Sequence, residues 1–325
     1  MLLGGIAVTA VGRLVVLPLD AWAESVRRQY GLSTQTWGSW LVDVGKSYGV
    51  GLVITLVVLF GVFALIRWSP EWWWVWGAAA GALLVIVVSF AYPVVIEPVF
   101  NNFKPLQDGQ LRTSLLDMAE RDGVPARDVL VADASRRTTA LNAYVSGFGA
   151  TRRIVVYDTL LEKASAEEVR LVVAHELGHA KRRDVLLGTL LGALGAATLV
   201  CVLALALRSE GLLRRAGVSS AGDPRALALV LAIVAVIAAV SGPVQVLVSR
   251  RIEARADVHA LDLTRDPQTF IEMQRRLSVT NLSDPDPPPL VFGLFATHPT
   301  GPQRMALARD WARLEGVPAP PALAR

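Results

Sequence analysis

Four stretches of this chain, 47–66, 72–96, 185–207 and 226–249, contain no charged residue. They constrain the fold more than any other feature. About 20 apolar residues wound as an α-helix cross a hydrocarbon core of roughly 30 Å. Composition agrees, with 53% hydrophobic and 18% charged residues, the balance of a membrane protein. A fifth stretch, 1–19, carries Arg13 near its middle, and a central arginine costs about 2.5 kcal/mol or more on insertion. Whether that stretch spans is left open. Ala21-Trp22-Ala23 resembles a signal-peptide cleavage site, but no basic segment leads it and Arg13 interrupts the apolar run.

The spans divide the chain into N-terminal membrane helices (1–96), a polar region (97–184), a transmembrane hairpin (185–249) and a second polar region (250–325). An even number of crossings separates the polar regions, which puts them on one side. The segment 20–46 carries Arg27, Arg28 and Lys46, against Arg67 alone in 67–71, and this bias favours the cytoplasm for both. Arg208, Arg214, Arg215 and Arg225 in the opposite loop weigh the other way. A net charge of +4, with arginines spread through the polar segments, suggests membrane-flanking charge and no nucleic-acid partner. The single cysteine, Cys201, lies in an apolar run, so no intrachain disulfide and no cysteine metal cluster forms, and it reads as a small buried hydrophobe.

In the first polar region, 128–132, 141–145 and 154–157 read as short strands, with Gly147, Gly149 and Arg152-Arg153 marking a turn. A helix should begin after Ser165, where Glu168 three residues on completes a capping box. The proline-dense 284–289 reads as a loop before the His298 element.

The predicted helix carries His175-Glu176-Leu177-Gly178-His179. Histidines at i and i+4 project from one helix face and can reach one Zn²⁺ at about 2.0–2.1 Å. Glu176 beside them can take a proton from an attacking water and hand it to a leaving amine. Gly178 leaves room for substrate or a neighbouring element. The bare motif should arise by accident in about one chain per hundred of this length, and a catalytic zinc needs a third protein ligand. Glu253 and Asp257, again i and i+4, supply a candidate ligand and a candidate acceptor for a histidine's second ring N–H. Alone, that pair would read as an exposed helix of Arg–Glu pairs. His179 lies about six residues before the third span and Glu253 about four after the fourth, which puts both within roughly 10 Å of the bilayer. His298 completes a cluster of three of the four histidines; His259, two residues past Asp257, falls on another face and reads as structural.

At these residues the chain resembles the type I CAAX prenyl proteases, membrane zinc metallopeptidases that combine H-E-x-x-H with S-R-x-x-E-x-x-A-D, here Ser249, Arg250, Glu253, Ala256 and Asp257. The likeness extends to 33–38, to 98–106, to Asn142-Ala143-Tyr144 through Gly147 and to 153–161. It implies a multi-pass α-helical membrane protein with a zincin-like α+β catalytic region containing a small β-sheet. It also implies a gluzincin-type endopeptidase with one Zn²⁺ per chain on His175, His179 and Glu253, and Glu176 as base. Asn142, Ala143 and Tyr144 would hold substrate, His298 would stabilise the oxyanion or hold the cleft, and Arg304 would support it alongside Asp257. The implied substrate is a lipid-anchored or membrane-embedded peptide. Two departures stand out: four or five spans against the family's seven chamber-forming helices, and Ala140 where the family often has histidine. An HtpX-like quality-control protease shares the metal motifs but not the 33–38 and 103–106 segments. A membrane protein that merely holds zinc has no use for Glu176.

Overall fold

A computed structural model of the chain describes residues 2–220, 223, 225–318 and 320. Helices α1 (Leu2–Gln29), α2 (Trp37–Trp68) and α3 (Trp73–Ala91) lead through a π-helical turn, Tyr92–Ile96, into α4 (Glu97–Phe100). Then come β1 (Phe103–Pro105), α5 (Gln110–Arg121), β2 (Val129–Ala132), β3 (Ala143–Ser146), β4 (Arg153–Tyr157), α6 (Asp158–Lys163) and α7 (Ala166–Lys181). The chain ends with α8 (Asp184–Arg208), α9 (Glu210–Arg215), α10 (Ala226–Thr264), α11 (Pro267–Thr280), α12 (Pro289–Phe295) and α13 (Gly301–Leu314).

Two compact units emerge. One comprises Met1–Pro18, Val44–Tyr92 and Leu186–Val244. Its helices are long and apolar, yet no more than 11% of any apolar window in α2, α3, α8 or α10 is buried. Side chains that are apolar on every face and unburied call for lipid as their solvent. Ser89 and Thr189 hydroxyls meet at 2.6 Å between α3 and α8, the kind of polar contact that joins helices in a bilayer. Helix α1, with Arg13 and Pro18 inside it, is not among the four described helices apolar enough to cross.

The other unit comprises Leu19–Asp43, Pro93–Val185 and Gln245–Arg325. It takes in the segment after α1, which the sequence alone groups with the membrane helices: Ser33 bridges Thr138, and Thr34 N–H donates to the Arg137 carbonyl at 3.2 Å. Its sheet runs β1-β2-β4-β3, with β2 and β4 parallel at the centre and the outer pairs antiparallel. Buried Val129, Ile154 and Val156 on the central strands meet Leu115 and Met118 of α5 and a run from Val169 to Leu177 on α7. Helix α7 is therefore wrapped by core, and the Ser165–Glu168 capping box forms as the sequence predicts. The three predicted strands exist, shifted by one or two residues; β1 has no alternation long enough to reveal it.

Candidate active site

One turn of α7 separates His175 from His179, and their Nε2 atoms lie 3.2 Å apart. Glu253 approaches from α10, with Oε2 at 3.3 Å from His175 Nε2 and Oε1 at 3.6 Å from His179 Nε2. Donor atoms of a tetrahedral site with 2.0–2.1 Å bonds stand roughly 3.3 Å from one another. These three side chains match that spacing. Glu253 Oε2 is buried and makes no hydrogen bond, which is costly for a carboxylate oxygen unless a cation or a proton sits against it. The donor set therefore fits a divalent metal.

Behind each imidazole stands a carboxylate. His175 Nδ1 lies 2.9 Å from Asp257 Oδ1. Asp257 is fully buried, and Arg304 clamps it through Nε at 2.8 Å and Nη2 at 2.5 Å. His179 Nδ1 meets Asp184 Oδ2 at 3.0 Å, and Arg255 pairs with Asp184. Both contacts fix the tautomer that points Nε2 inward. Burial alone would lower the His175 pKa, but the Asp257 and Glu253 carboxylates beside its two ring nitrogens outweigh it and push it up to about 9. The pocket thus favours positive charge at that ring, as proton or as metal. Glu176, half-buried, lies in the same cluster, its carboxylate and the two imidazoles within 4.8 Å of one another. Burial raises its pKa, against the pull of His175 and His179.

The cluster opens into a cleft of about 510 Å³ whose walls include Asn142, Leu171, Glu176, Phe292 and His298. His298 is 59% exposed, with Nε2 at 3.4 Å from Glu253 Oε2. Its Nδ1 meets the Thr297 hydroxyl at 2.9 Å. Desolvation lowers its pKa despite Glu253.

The predicted residues divide accordingly. His175, Glu176, His179, Glu253, Asp257 and His298 come together, and Arg304 joins them, but it supports Asp257 and not His298. Of the three residues expected to hold substrate, Asn142 lines the cleft. Ala143 is buried in β3, and the Tyr144 hydroxyl turns to Glu97, which with burial raises its pKa. Gly178 makes room for His259, whose ring would stand 3.1 Å from an added Cβ and whose Nε2 meets Asp122 at 2.9 Å. Sequence reasoning missed Asp184 and Asn281. The latter holds the backbone beside Asn142, accepting from Leu141 N–H at 3.0 Å and donating to its carbonyl at 3.3 Å.

Two family models match the chain: peptidase family M48 over residues 105–312, and the CAAX prenyl protease N-terminal family of five membrane helices over residues 2–102. The latter stretch here carries α1, α2 and α3. The uncharacterized metalloprotease YhfN of Bacillus subtilis is 33% identical over 295 residues, covering 90% of this chain and 69% of that protein. CAAX prenyl protease 1 of Saccharomyces cerevisiae is 32% identical over 54% of this chain and 40% of its own length. The Dictyostelium discoideum homolog is 34% identical over 56% of this chain and 42% of its own. The crystal structure of S. mikatae Ste24p matches with a TM-score of 0.82 at 26% identity, over 94% of this chain and 74% of that one.

Proposed function

Because the chain belongs to peptidase family M48 and is a multi-pass membrane metalloprotease related to CAAX prenyl proteases, we propose that it is a zinc endopeptidase of gluzincin type that cuts membrane-tethered peptides at the cytoplasmic face of the bilayer. The observation that supports this most is the spacing of His175, His179 and Glu253, with the unpartnered Glu253 Oε2 between them. These three side chains would hold one zinc. When bound, the metal polarises the scissile carbonyl and acidifies a water molecule. Glu176, its carboxylate already biased toward taking up a proton, receives one from the attacking water and passes it to the leaving amine. His298, its Nε2 on the side of Glu253, donates to the oxygen on which negative charge develops. Asn142 fixes the substrate backbone across the cleft. Asp257, locked by Arg304, keeps His175 oriented.

In this reading, residues 97–184 and 250–325 form the catalytic region, and 1–96 and 185–249 are the N-terminal membrane helices and a transmembrane hairpin. The basic residues Arg27, Arg28 and Lys46 favour the cytoplasm for that region. The substrate class, prenylated CAAX-type or otherwise membrane-tethered peptides, draws support from the named relatives and from a cleft wall containing Leu141, Leu171, Phe292 and Phe295. A lipid tail contributes about 0.8 kcal/mol per buried CH₂, which concentrates a peptide at the height of the zinc. The test compares kcat/KM for one peptide with and without a farnesyl group in liposomes, each with and without chelator. The farnesylated peptide should be cleaved far better, and chelation should abolish both reactions. Equal values for the two peptides would reject the tethered-substrate reading and favour membrane-protein quality control; activity that survives chelation would reject the metal.

A further inference from the structure

Helix α12, Pro289-Leu290-Val291-Phe292-Gly293-Leu294-Phe295, is apolar on every side, yet none of its residues is buried. Leu290 is 73% exposed, Val291 48% and Leu294 36%. Spaced i, i+1 and i+4, these three form one face of the helix. Phe292 and Phe295 occupy another face and line the cleft. A helix apolar all round is stable only if something apolar covers it.

What covers it is indicated by how it is fastened. Arg250 donates through Nη1 to the carbonyls of Phe292 and Ala296, both at 2.8 Å, and its guanidinium lies 4.5 Å from the centre of the Phe292 ring. The Ala296 carbonyl lies just past the last turn of α12, where a helix leaves acceptors unpaired, and the Phe292 carbonyl also accepts from the Ala296 N–H at 3.2 Å. Arg250 is also the first charged residue after the uncharged run 226–249 of α10. An arginine there sits where the hydrocarbon ends, with its head at the interface. One side chain therefore pins α12 to the membrane end of a spanning helix.

We propose that α12 is an interfacial helix, with Leu290, Val291 and Leu294 immersed in the lipid boundary and Phe292 and Phe295 turned to the cleft. A second protein copy fits the patch poorly, since a stable interface needs about 800 Å² per partner and three aliphatic side chains supply far less. The segment Pro289–Phe295 has no lysine or arginine, so immersion is driven by apolar burial and not by attraction to anionic lipid. The consequence for the proposed endopeptidase is a cleft with one wall at the lipid surface, through which an apolar tail need not cross water.

The test uses the full-length protein in liposomes, with Cys201→Ser removing the single native thiol. Spin labels are placed at Leu290→Cys, at Leu294→Cys and, as an aqueous control, at Glu272→Cys on the exposed side of α11. Collision rates with oxygen and with a water-soluble nickel chelate report immersion. Labels at 290 and 294 should favour oxygen several-fold more than the label at 272, equally in phosphatidylcholine and phosphatidylglycerol vesicles. Water-like values at 290 and 294 would overturn the proposal. So would immersion confined to anionic vesicles, or spin–spin broadening that grows with protein density and reveals a second copy. Should either leucine variant fail to reconstitute, Val291→Cys reports the same face.

Discussion

The two walls of the cleft are built on opposite principles. The α7 wall is sealed: Leu171, Ala174 and Leu177 are at most 2% exposed, and each imidazole has its own carboxylate behind it. The α12 wall is open, with no buried residue in α12 and a half-exposed His298 at its end. The difference matches the tasks proposed for them. A metal needs donors held to a few tenths of an ångström before it arrives, so its ligands grow out of a packed helix. A wall that meets a substrate, and lipid, has to give way as the substrate enters.

If the sealed wall holds the metal, the largest effect should come from Glu253→Ala, which removes one of three donors. Metal by plasma emission should fall from one per chain to near none, and peptide cleavage should vanish with it. Stoichiometric metal at nanomolar free zinc would mean that the third ligand lies elsewhere. Next in size is Glu176→Gln, which keeps the shape of the wall and removes only the base. Metal content should be unchanged while kcat falls at least about 10²-fold, the scale of general-base loss. Near-normal turnover would remove Glu176 from the chemistry.

Much of this wall is legible in the sequence because it depends on local spacing. His175 with His179, Glu253 with Asp257, and Ser165 with Glu168 are each one helical turn apart, and the four spans are plain runs of apolar residues. What is hidden depends on turns and on distant pairing. Asp184 meets His179 across a break between α7 and α8 at which Arg183 takes a left-handed φ of 57°. That position usually needs glycine, so the sequence gives no sign of it. Asn281 finds Leu141 from 140 residues away, and α12 follows a proline run that reads as a plain loop. The pairing of the Tyr144 hydroxyl with Glu97 is hidden too, because a motif match does not tell which face of β3 a side chain takes.

The carboxylates behind the histidines offer a finer division. Asp257→Asn and Asp184→Asn should both weaken metal binding within the roughly 10–100-fold range of such partners, with Asp257 at the upper end. The reason is burial: Asp257 is 0% exposed and balances Arg304, which its loss would leave as an unpaired buried charge. A competition assay with a zinc chelator gives the affinities, and a thermal melt should fall for Asp257→Asn but barely for Asp184→Asn. Equal losses in both assays would mean that burial does not rank the two.

The smallest effect tests the open wall. Arg250 stands behind the cleft wall, against Phe292, and binds the carbonyl of Ala296, two residues before His298. Arg250→Ala frees the last turn of α12 and lets the His298 ring wander from the point where its Nε2–H is wanted. A misplacement of 1 Å costs up to 10²-fold; a loop tethered at its other end by the Thr300 capping box should lose less, about tenfold in kcat, with KM and metal content held. A general loss of folding would also lower kcat, so the deciding comparison is a double variant. If Arg250 acts only by positioning His298, its removal adds nothing once His298→Ala has been made. Arg250→Ala with His298→Ala should then match His298→Ala alone, and multiplicative losses would show that Arg250 serves the reaction by some route other than this loop.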